Sequence, residues 1–329
     1  MGQTLSAFWD QTFLIPEPGF RERDLCDQTG KVHIITGGYA GIGLELAKLL
    51  YQRNATLYLA GRSPSKAASA IASLTSPSTA SKGRVEFLHL DLADLSSIKS
   101  SVDKFFMKEK RLDVLVNNAG IMVPPAGMKS KQGWDLQLAT NVYGPWLFTY
   151  FLLPILIRTA RNAETGTVRV VWAASFGAEL APRGGVVFDG KEGISVEGMK
   201  VEEVYCSTKA ANILLGVETA RRYSDRGIVS NSFNPGNLAS ELDRYSSWWQ
   251  VLLMNMLRYP ARMGAYTELF AGWSSEITPE KNGCYIIPWG RIGGYNTSLQ
   301  KAVNRAEDGG EGRAEKLWEA CEKVCKEFI

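Results

Sequence analysis

Eight residues, Thr36-Gly-Gly-Tyr-Ala-Gly-Ile-Gly43, stand between a short apolar run, Val32-His-Ile-Ile35, and a helical spacing of apolar positions over 42–53. A strand that turns through glycines straight into a helix opens a βαβ unit, and the rest of the chain repeats that alternation. Strand-like runs recur at 56–60, 85–90, 114–116, 168–172, 228–233 and near 284–287. Between them fall helical patterns: a Lys/Ala/Ser-rich stretch ending in the Ser/Thr/Pro cluster at 75–82, then 95–108, about 133–160, and 203–223. Short strands rich in Val, Ile and Leu suit a sheet covered on both faces. The expected fold class is α/β, a doubly wound parallel sheet in a single domain with N- and C-terminal extensions. Residues 1–29 read as the N-terminal extension, 30–300 as the domain, and 301–329 as a C-terminal linker and helix. An aromatic, Met-rich segment at about 241–263 breaks the alternation and reads as a lid.

Composition removes several function classes. The 329 residues are 45% hydrophobic and 22% charged, with a formal net charge of +3. That balance, without a long Lys/Arg run, gives nucleic-acid binding no electrostatic support. Five cysteines, at 26, 206, 284, 321 and 325, have no metal-ligand spacing, and their odd number does not suit a disulfide framework. They read as reduced thiols in a cytoplasmic setting. His33 and His89 each lie in a strand-like run, which leaves neither a Ser-His-Asp hydrolase nor a His-ligated metal site to build. No metal is expected. Residues 1–20 lack a basic start followed by an apolar core, so no secretory signal is read. The most apolar stretch, Val142 to Ile157, is interrupted by Gly144, Pro145 and Pro154 and reads as a buried helix rather than a transmembrane segment.

The glycine turn points to a dinucleotide. Glycines let the backbone approach a pyrophosphate, and the helix N-terminus offers free N–H groups and a partial positive charge. The candidates in this turn are Gly37, Tyr39, Gly41, Ile42 and Gly43. The end of the second strand, Tyr58-Leu-Ala-Gly-Arg62, bears on the choice of cofactor. An acidic residue there would bond the ribose 2′-hydroxyl, whereas Arg62, with Ser63, Ser65 and Lys66 nearby, suits a 2′-phosphate. The expected cofactor is NADP(H).

A second constellation carries chemistry. In Glu203-Val-Tyr205-Cys-Ser-Thr-Lys209 the spacing of four places Tyr205 and Lys209 on one helical face. A nearby ammonium stabilises a phenolate, so Tyr205 could exchange a proton with a carbonyl or alcohol oxygen. Strand 168–172 ends in Ala-Ala-Ser175, a hydroxyl where ligands bind in open α/β sheets. Strand 114–116 ends in Asn117-Asn-Ala-Gly120, which suits the same crevice. Asn141 lies inside a helix, where Asn is a mediocre helix former; it is either a satisfied helix amide or a functional group.

Taken in order, the glycine turn, Asp91-Leu92, Asn117-Asn-Ala-Gly120, Asn141, Ser175, Tyr205/Lys209 and Pro235-Gly236 resemble a classical short-chain dehydrogenase/reductase over about residues 30–300. The resemblance implies a Rossmann-type fold and a role for each position. Tyr205 would be the general acid/base, with Ser175 orienting the substrate oxygen. Lys209 would bind the nicotinamide ribose and lower the Tyr205 pKa, and Asn141 would hold a water linking Lys209 to solvent. Asp91 and Leu92 would flank the adenine, Asn118 and Ala119 the adenosine ribose, and Pro235, Gly236, Leu238 and Ser240 the nicotinamide, with Gly120 also in the cofactor site. Two departures stand out: Ser240 replaces the usual Thr, and Ala174 stands where a second Ser is frequent. The long gap between Ser175 and Tyr205, with Tyr205-Cys-Ser-Thr-Lys-Ala-Ala-Asn212, is similar to the retinol-dehydrogenase-like branch, which acts on lipophilic alcohols, aldehydes and ketones.

Three further expectations complete the reading. Trp248 and Trp249, with Met254 and Met256, would either line an apolar substrate pocket or belong to core or a subunit contact. Met1-Gly-Gln-Thr-Leu-Ser6 fits the short pattern for myristoylation at Gly2, which would add weak peripheral membrane contact to a cytoplasmic protein. The apolar helix with Phe148, Tyr150, Phe151 and Leu152 is either a dimer face or the face under the sheet; the resemblance implies a homodimer or homotetramer. The competing functions are a catalytically silent nucleotide-sensing protein and a membrane-associated retinoid or sterol dehydrogenase.

Overall fold

The computed structural model describes residues 2–13, 15–76, 80–190, 193–238 and 258–329. Eight strands form one sheet: β1 (Val32–Thr36), β2 (Thr56–Gly61), β3 (Arg84–His89), β4 (Val114–Asn117), β5 (Val168–Ala173), β6 (Ile228–Phe233), β7 (Tyr285–Ile287) and β8 (Arg291–Gly293). Their order is β3-β2-β1-β4-β5-β6-β7-β8, parallel throughout except for the β7–β8 hairpin. The chain leaves β1 toward β2 and β3 on one side and resumes at β4 on the other. That reversal opens a crevice beyond the carboxyl ends of β1 and β4, where ligands bind in such sheets. The seven expected strands are present. The short β8 lacks a Val/Ile-rich run and depends on its pairing with β7.

The helices are α1 (Gly2–Thr12), α2 (Gly41–Tyr51), α3 (Pro64–Leu74), α4 (Leu95–Lys108), α5 (Leu136–Ala160), α6 (Val201–Tyr223), α7 (Ala261–Trp273), α8 (Thr297–Val303) and α9 (Arg313–Cys325). Successive strand residues point to opposite faces, and the two cores follow that alternation. Ile34, Leu115, Val170 and Trp172 pack against α4, α5, α6 and α9. Ile35, Val116, Val171 and Phe233 pack against α2, α3 and α7.

The expected helix over 133–160 starts later and is not uniform. Asp135 caps it, its carboxylate accepting from the N–H groups of Gln137 and Leu138 at 2.8 and 3.1 Å. The helix then widens into a π-turn over Ala139–Tyr143. Among the described residues it is the one helix long and apolar enough to cross a membrane, but 78% of its apolar window is buried inside the fold. Phe148 and Leu152 lie fully under the sheet. Trp146 on the same helix stacks on Tyr150, with ring centroids 5.2 Å apart, and meets Trp318 of α9 edge-on at 5.4 Å. The chain's own terminal helix therefore takes up part of this apolar face. Residue 300, the expected end of the domain, falls within α8, whose Leu299, Ala302 and Val303 belong to the same core.

The lid expected at about 241–263 lies outside the described residues except for its last six. There Tyr259 pairs with Leu238 in an isolated bridge, and Ala261 already begins α7. Ser240, Trp248, Trp249, Met254 and Met256 also lie outside the described residues. The five cysteines are unpaired thiols, Cys321 and Cys325 buried and Cys26 exposed. Among the described residues no group of His, Cys, Asp and Glu could hold a metal ion.

Candidate active site

The glycine turn is shaped by close approach. Gly37 and Gly41 adopt φ of +68° and +52°, which side-chain-bearing residues rarely do. A Cβ at Gly43 would come within 2.7 Å of Asn118 Nδ2 and 2.9 Å of the Gly37 carbonyl. Asn118 needs that space, because its amide donates to the Thr36 carbonyl at 2.8 Å and ties the loop after β4 to the end of β1. Thr36 strengthens the tie: its hydroxyl accepts from Ala119 N–H at 2.9 Å and donates to the Val116 carbonyl. The α2 N-terminus has no side-chain cap, since Ala40 stands at the capping position. Its first N–H groups are therefore left without a side-chain acceptor, at the end of the helix where Gly41 and Ile42 border the crevice.

A cleft of about 530 Å³ runs along this edge. Gly37, Tyr39, Gly41 and Ile42 line it from the turn, Arg62 and Lys66 from the end of β2, Asp91 and Leu92 from beyond β3, and Asn118, Ala119 and Gly120 from beyond β4. Gly43 packs behind the cleft rather than lining it. Tyr39 organises the outer end. Its hydroxyl accepts from the backbone N–H groups of Arg62 and Ser63 at 3.1 and 3.3 Å. A Cβ at Gly61 would lie 2.5 Å from that oxygen, so position 61 has no room for an acidic side chain while Tyr39 stays in place. Ser63 then caps α3, accepting from Lys66 N–H. A cradle that glycines keep open, uncapped helix N–H groups and an exposed guanidinium at its end fit a dinucleotide.

The inner end of the cleft meets the second constellation. A Cβ at Gly120 would lie 3.2 Å from Asn141 Oδ1 and 3.4 Å from Lys209 Nζ, so these groups close around the glycine. Lys209 is only 5% exposed, and its ammonium donates to the Ala173 carbonyl at 2.9 Å. Burial lowers its pKa from the ordinary 10.5 to about 8. The ammonium stands 5.7 Å from the centroid of the Tyr205 ring. Ser175 is held at the end of β5, where its hydroxyl accepts from Gly177 N–H at 3.1 Å. A Cβ at Gly177 would touch both Tyr205, at 3.3 Å, and the Ser175 hydroxyl, at 3.6 Å. Ser175, Tyr205 and Lys209 are thus brought together by β5 and α6.

Asn141 lies in the π-turn of α5, a local widening often found at functional sites. Its carbonyl accepts from Ile121 N–H at 2.9 Å; its amide donates to the Ile121 carbonyl at 2.9 Å and to Thr208 Oγ1 at 3.1 Å. Both amide protons are therefore used, and Asn141 clamps the loop after β4 onto α6. A water held by this side chain could only donate to Oδ1. Pro235, Gly236 and Leu238 follow β6 and do not line the 530 Å³ cleft. Gly236, at φ +87°, donates its N–H to Asn234 Oδ1 at 3.0 Å. Leu238 packs against Gly264 of α7, beside Ile42. Sequence reasoning missed Thr208, Asn234 and the Ala173 carbonyl, whose roles depend on tertiary contact. His33 is buried, bonded to Gln28 and held to a pKa of about 4 by burial, which keeps it a neutral core residue.

Comparison with known proteins agrees with this geometry. Residues 31–179 match the family model of the short chain dehydrogenases. A relative from Phomopsis amygdali named as a short-chain dehydrogenase/reductase is 40% identical over 332 residues, covering 99% of this chain and 98% of the relative. The short-chain dehydrogenase/reductase iacJ of Pestalotiopsis fici is 43% identical over 335 residues, covering 99% of each. Among solved structures, an uncharacterized protein from Mycobacterium paratuberculosis superposes with a TM-score of 0.66 at 26% identity, covering 94% of this chain and 98% of that one. RhlG of Pseudomonas aeruginosa, solved as an NADP active-site complex, shares the fold with a TM-score of 0.61 at 22% identity, covering 79% of this chain and 94% of its own. The chain belongs to the short-chain dehydrogenase/reductase family of oxidoreductases, which bind a nicotinamide cofactor in a Rossmann-type fold and act on small molecules.

Proposed function

We propose that this protein is an NADP(H)-dependent carbonyl reductase or alcohol dehydrogenase for a small, lipophilic substrate, with Tyr205 as general acid/base. The observation that carries the reading is the convergence of Ser175 and Tyr205 around Gly177, with the buried Lys209 ammonium 5.7 Å from the Tyr205 ring. Burying an ammonium is costly and is of no use to a protein that only senses a nucleotide. The nicotinamide, when bound, supplies or accepts the hydride.

This chain's residues do the rest. Ser175 donates a hydrogen bond to the substrate oxygen and fixes its position. Tyr205 gives the proton to that oxygen in reduction and takes it back in oxidation. Lys209 favours the phenolate by its charge. Asn141 holds the loop that carries Gly120 against α6 and thereby the relative positions of cofactor cleft and acid/base. Arg62 and Lys66 would hold the 2′-phosphate, and Asp91, Leu92, Asn118 and Ala119 the adenosine. Pro235, Gly236, Leu238 and Ser240 would run beside the nicotinamide. The preference for NADP(H) favours reduction, and the likeness to the retinol-dehydrogenase branch favours a lipophilic substrate. A cytoplasmic homodimer or homotetramer, with weak membrane contact if Gly2 is acylated, completes the proposal.

The test is a panel of aldehydes and ketones followed by NADPH absorbance, with Tyr205→Phe as control. Turnover that disappears in the variant while NADPH still binds supports the assignment. Undiminished turnover in Tyr205→Phe refutes it.

A further inference from the structure

The first helix, α1, reads in the sequence only as an extension, yet it lies across the carboxyl ends of β5, β6 and β7. Phe8 meets Phe176 edge to face, with ring centroids 5.5 Å apart, and Phe176 directly follows Ser175 at the end of β5. Three residues on, Gln11 is 5% exposed, and its Oε1 accepts from Asn234 Nδ2 at 2.7 Å. The other oxygen of that bridge, Asn234 Oδ1, accepts from Gly236 N–H, so Gln11 fixes the loop after β6 through one intermediate. Asp10 bonds Arg291 beyond β7, and the Thr12 carbonyl accepts from Tyr259 Oη at 3.1 Å. Residues three and four apart on a helix share a face, and Phe8, Gln11 and Thr12 are such a set.

This face does not serve the sheet core, because neither core cluster includes a residue of α1. It meets the loops that carry Ser175 and Gly236, where substrate oxygen and nicotinamide would lie. A helix placed there for stability alone could rest on any part of the sheet edge.

We propose that α1 is a wall of the substrate site. Phe8 determines specificity, favouring substrates with an apolar, flat body beside the carbonyl, and Gln11 is a positioning residue that holds the Asn234–Gly236 loop. The proposal rests on the reading of Ser175 and Tyr205 as the groups that hold the substrate oxygen. The Phe8–Phe176 pair follows directly on the residue that would hold the oxygen, and an aromatic pair beside it would suit a ring or conjugated chain better than a hydrated sugar.

The test uses the full chain with NADPH and two matched substrate sets, aromatic ketones and short aliphatic ketones. Phe8→Ala raises KM for the aromatic set about tenfold relative to the aliphatic set, with NADPH Kd unchanged. Phe8→Leu, which keeps an apolar side chain for the fold, gives a smaller change in the same ratio. Gln11→Leu lowers kcat for both sets, and Gln11→Glu, which restores an acceptor for Asn234, recovers part of it. An unchanged aromatic-to-aliphatic ratio in both Phe8 variants overturns the specificity assignment, even if the melting temperature falls. Loss of kcat in Gln11→Leu that Gln11→Glu does not relieve overturns the positioning role. Tyr205→Phe separates the levels. If that variant remains active, the reading of the site fails and takes α1 with it. If it is inactive while the ratio does not move, only the α1 assignment fails.

Discussion

Lys209 of α6 donates its ammonium to the carbonyl of Ala173, the last residue of β5, at 2.9 Å. Ala173 lies two residues before Ser175, so one hydrogen bond sets the register between the helix bearing Tyr205 and the strand bearing the hydroxyl. A neutral carbonyl is a modest partner for a charge that is almost wholly buried, and burial lowers the Lys209 pKa to about 8.

The direction of that shift predicts a pH limb. The charged form is favoured below about 8 and is lost as pH rises through that value, well before an ordinary lysine would lose it near 10.5. If the ammonium is what supports the Tyr205 phenolate, kcat/KM for carbonyl reduction falls above about pH 8. A profile flat up to about 10, the range of an ordinary lysine, excludes the coupling. Lys209→Met should lose about 10²–10⁴-fold in kcat at neutral pH, the usual worth of acid/base assistance.

Arg62 provides a second test. Its backbone N–H is held by Tyr39 Oη, and its side chain is exposed at the mouth of the cleft. A hydrogen bond to a charged group is worth about 1.5–3 kcal/mol, or about 10–100-fold. Arg62→Asp should therefore reduce the ratio of kcat/KM for NADPH over NADH by at least about tenfold. Tyr39→Phe should reduce the same ratio less, by loosening the loop without removing the charge. Steady-state kinetics with both cofactors decide it; a ratio unmoved by Arg62→Asp rejects the role.

Asn141 predicts a loss of stability together with activity. Replacing it by Ala leaves the Ile121 N–H and carbonyl without their partners in a buried loop. Each unsatisfied group costs about 1–3 kcal/mol, so with two of them unfolding in urea should show a loss of about 2–6 kcal/mol. Thr208→Val removes the acceptor for the second amide proton together with the hydroxyl's own donation to the Tyr205 carbonyl, and should cost about 1–2 kcal/mol. If the clamp is real, the two effects are non-additive in the double variant.

Much of this architecture was readable because periodicity reports burial. The near-continuous Val, Ile and Leu runs of β1, β4 and β5 require a sheet covered on both faces, and the spacing from Tyr205 to Lys209 is a property of any helix. Other parts were hidden for physical reasons. The contact between Gln11 and Asn234 joins positions far apart in the chain, and neither side chain announces a partner. The π-turn at Asn141 inserts one residue into a helix whose composition gives no sign of it. Arg169 is the second residue of β5, where a charge argues against a buried strand. Its guanidinium nonetheless donates to the carbonyls of Gly166, Ala271, Ser274 and Ile277, holding the end of α7 and the turn beyond it. Backbone acceptors, like the Ala173 carbonyl beneath Lys209, leave no mark in a sequence.

Glu268 lies on the buried side of α7, 0% exposed, and neither carboxylate oxygen has a hydrogen-bond partner among the described residues. Burial pushes its pKa well above the ordinary 4.5. The folded state therefore keeps the proton that the unfolded chain releases. With the folded value raised, the carboxyl's contribution to stability is fully present below the unfolded pKa and is lost as pH rises from there toward the folded value. Glu268→Gln has nearly the same shape and no charge to pay for, so it removes the pH-dependent part of that loss. The variant should be more stable than the wild type at neutral pH, and the advantage should shrink as pH is lowered into the ordinary carboxyl range. Urea midpoints for both proteins across that range test the claim. A difference that stays constant with pH would mean that Glu268 acts through packing rather than through its proton.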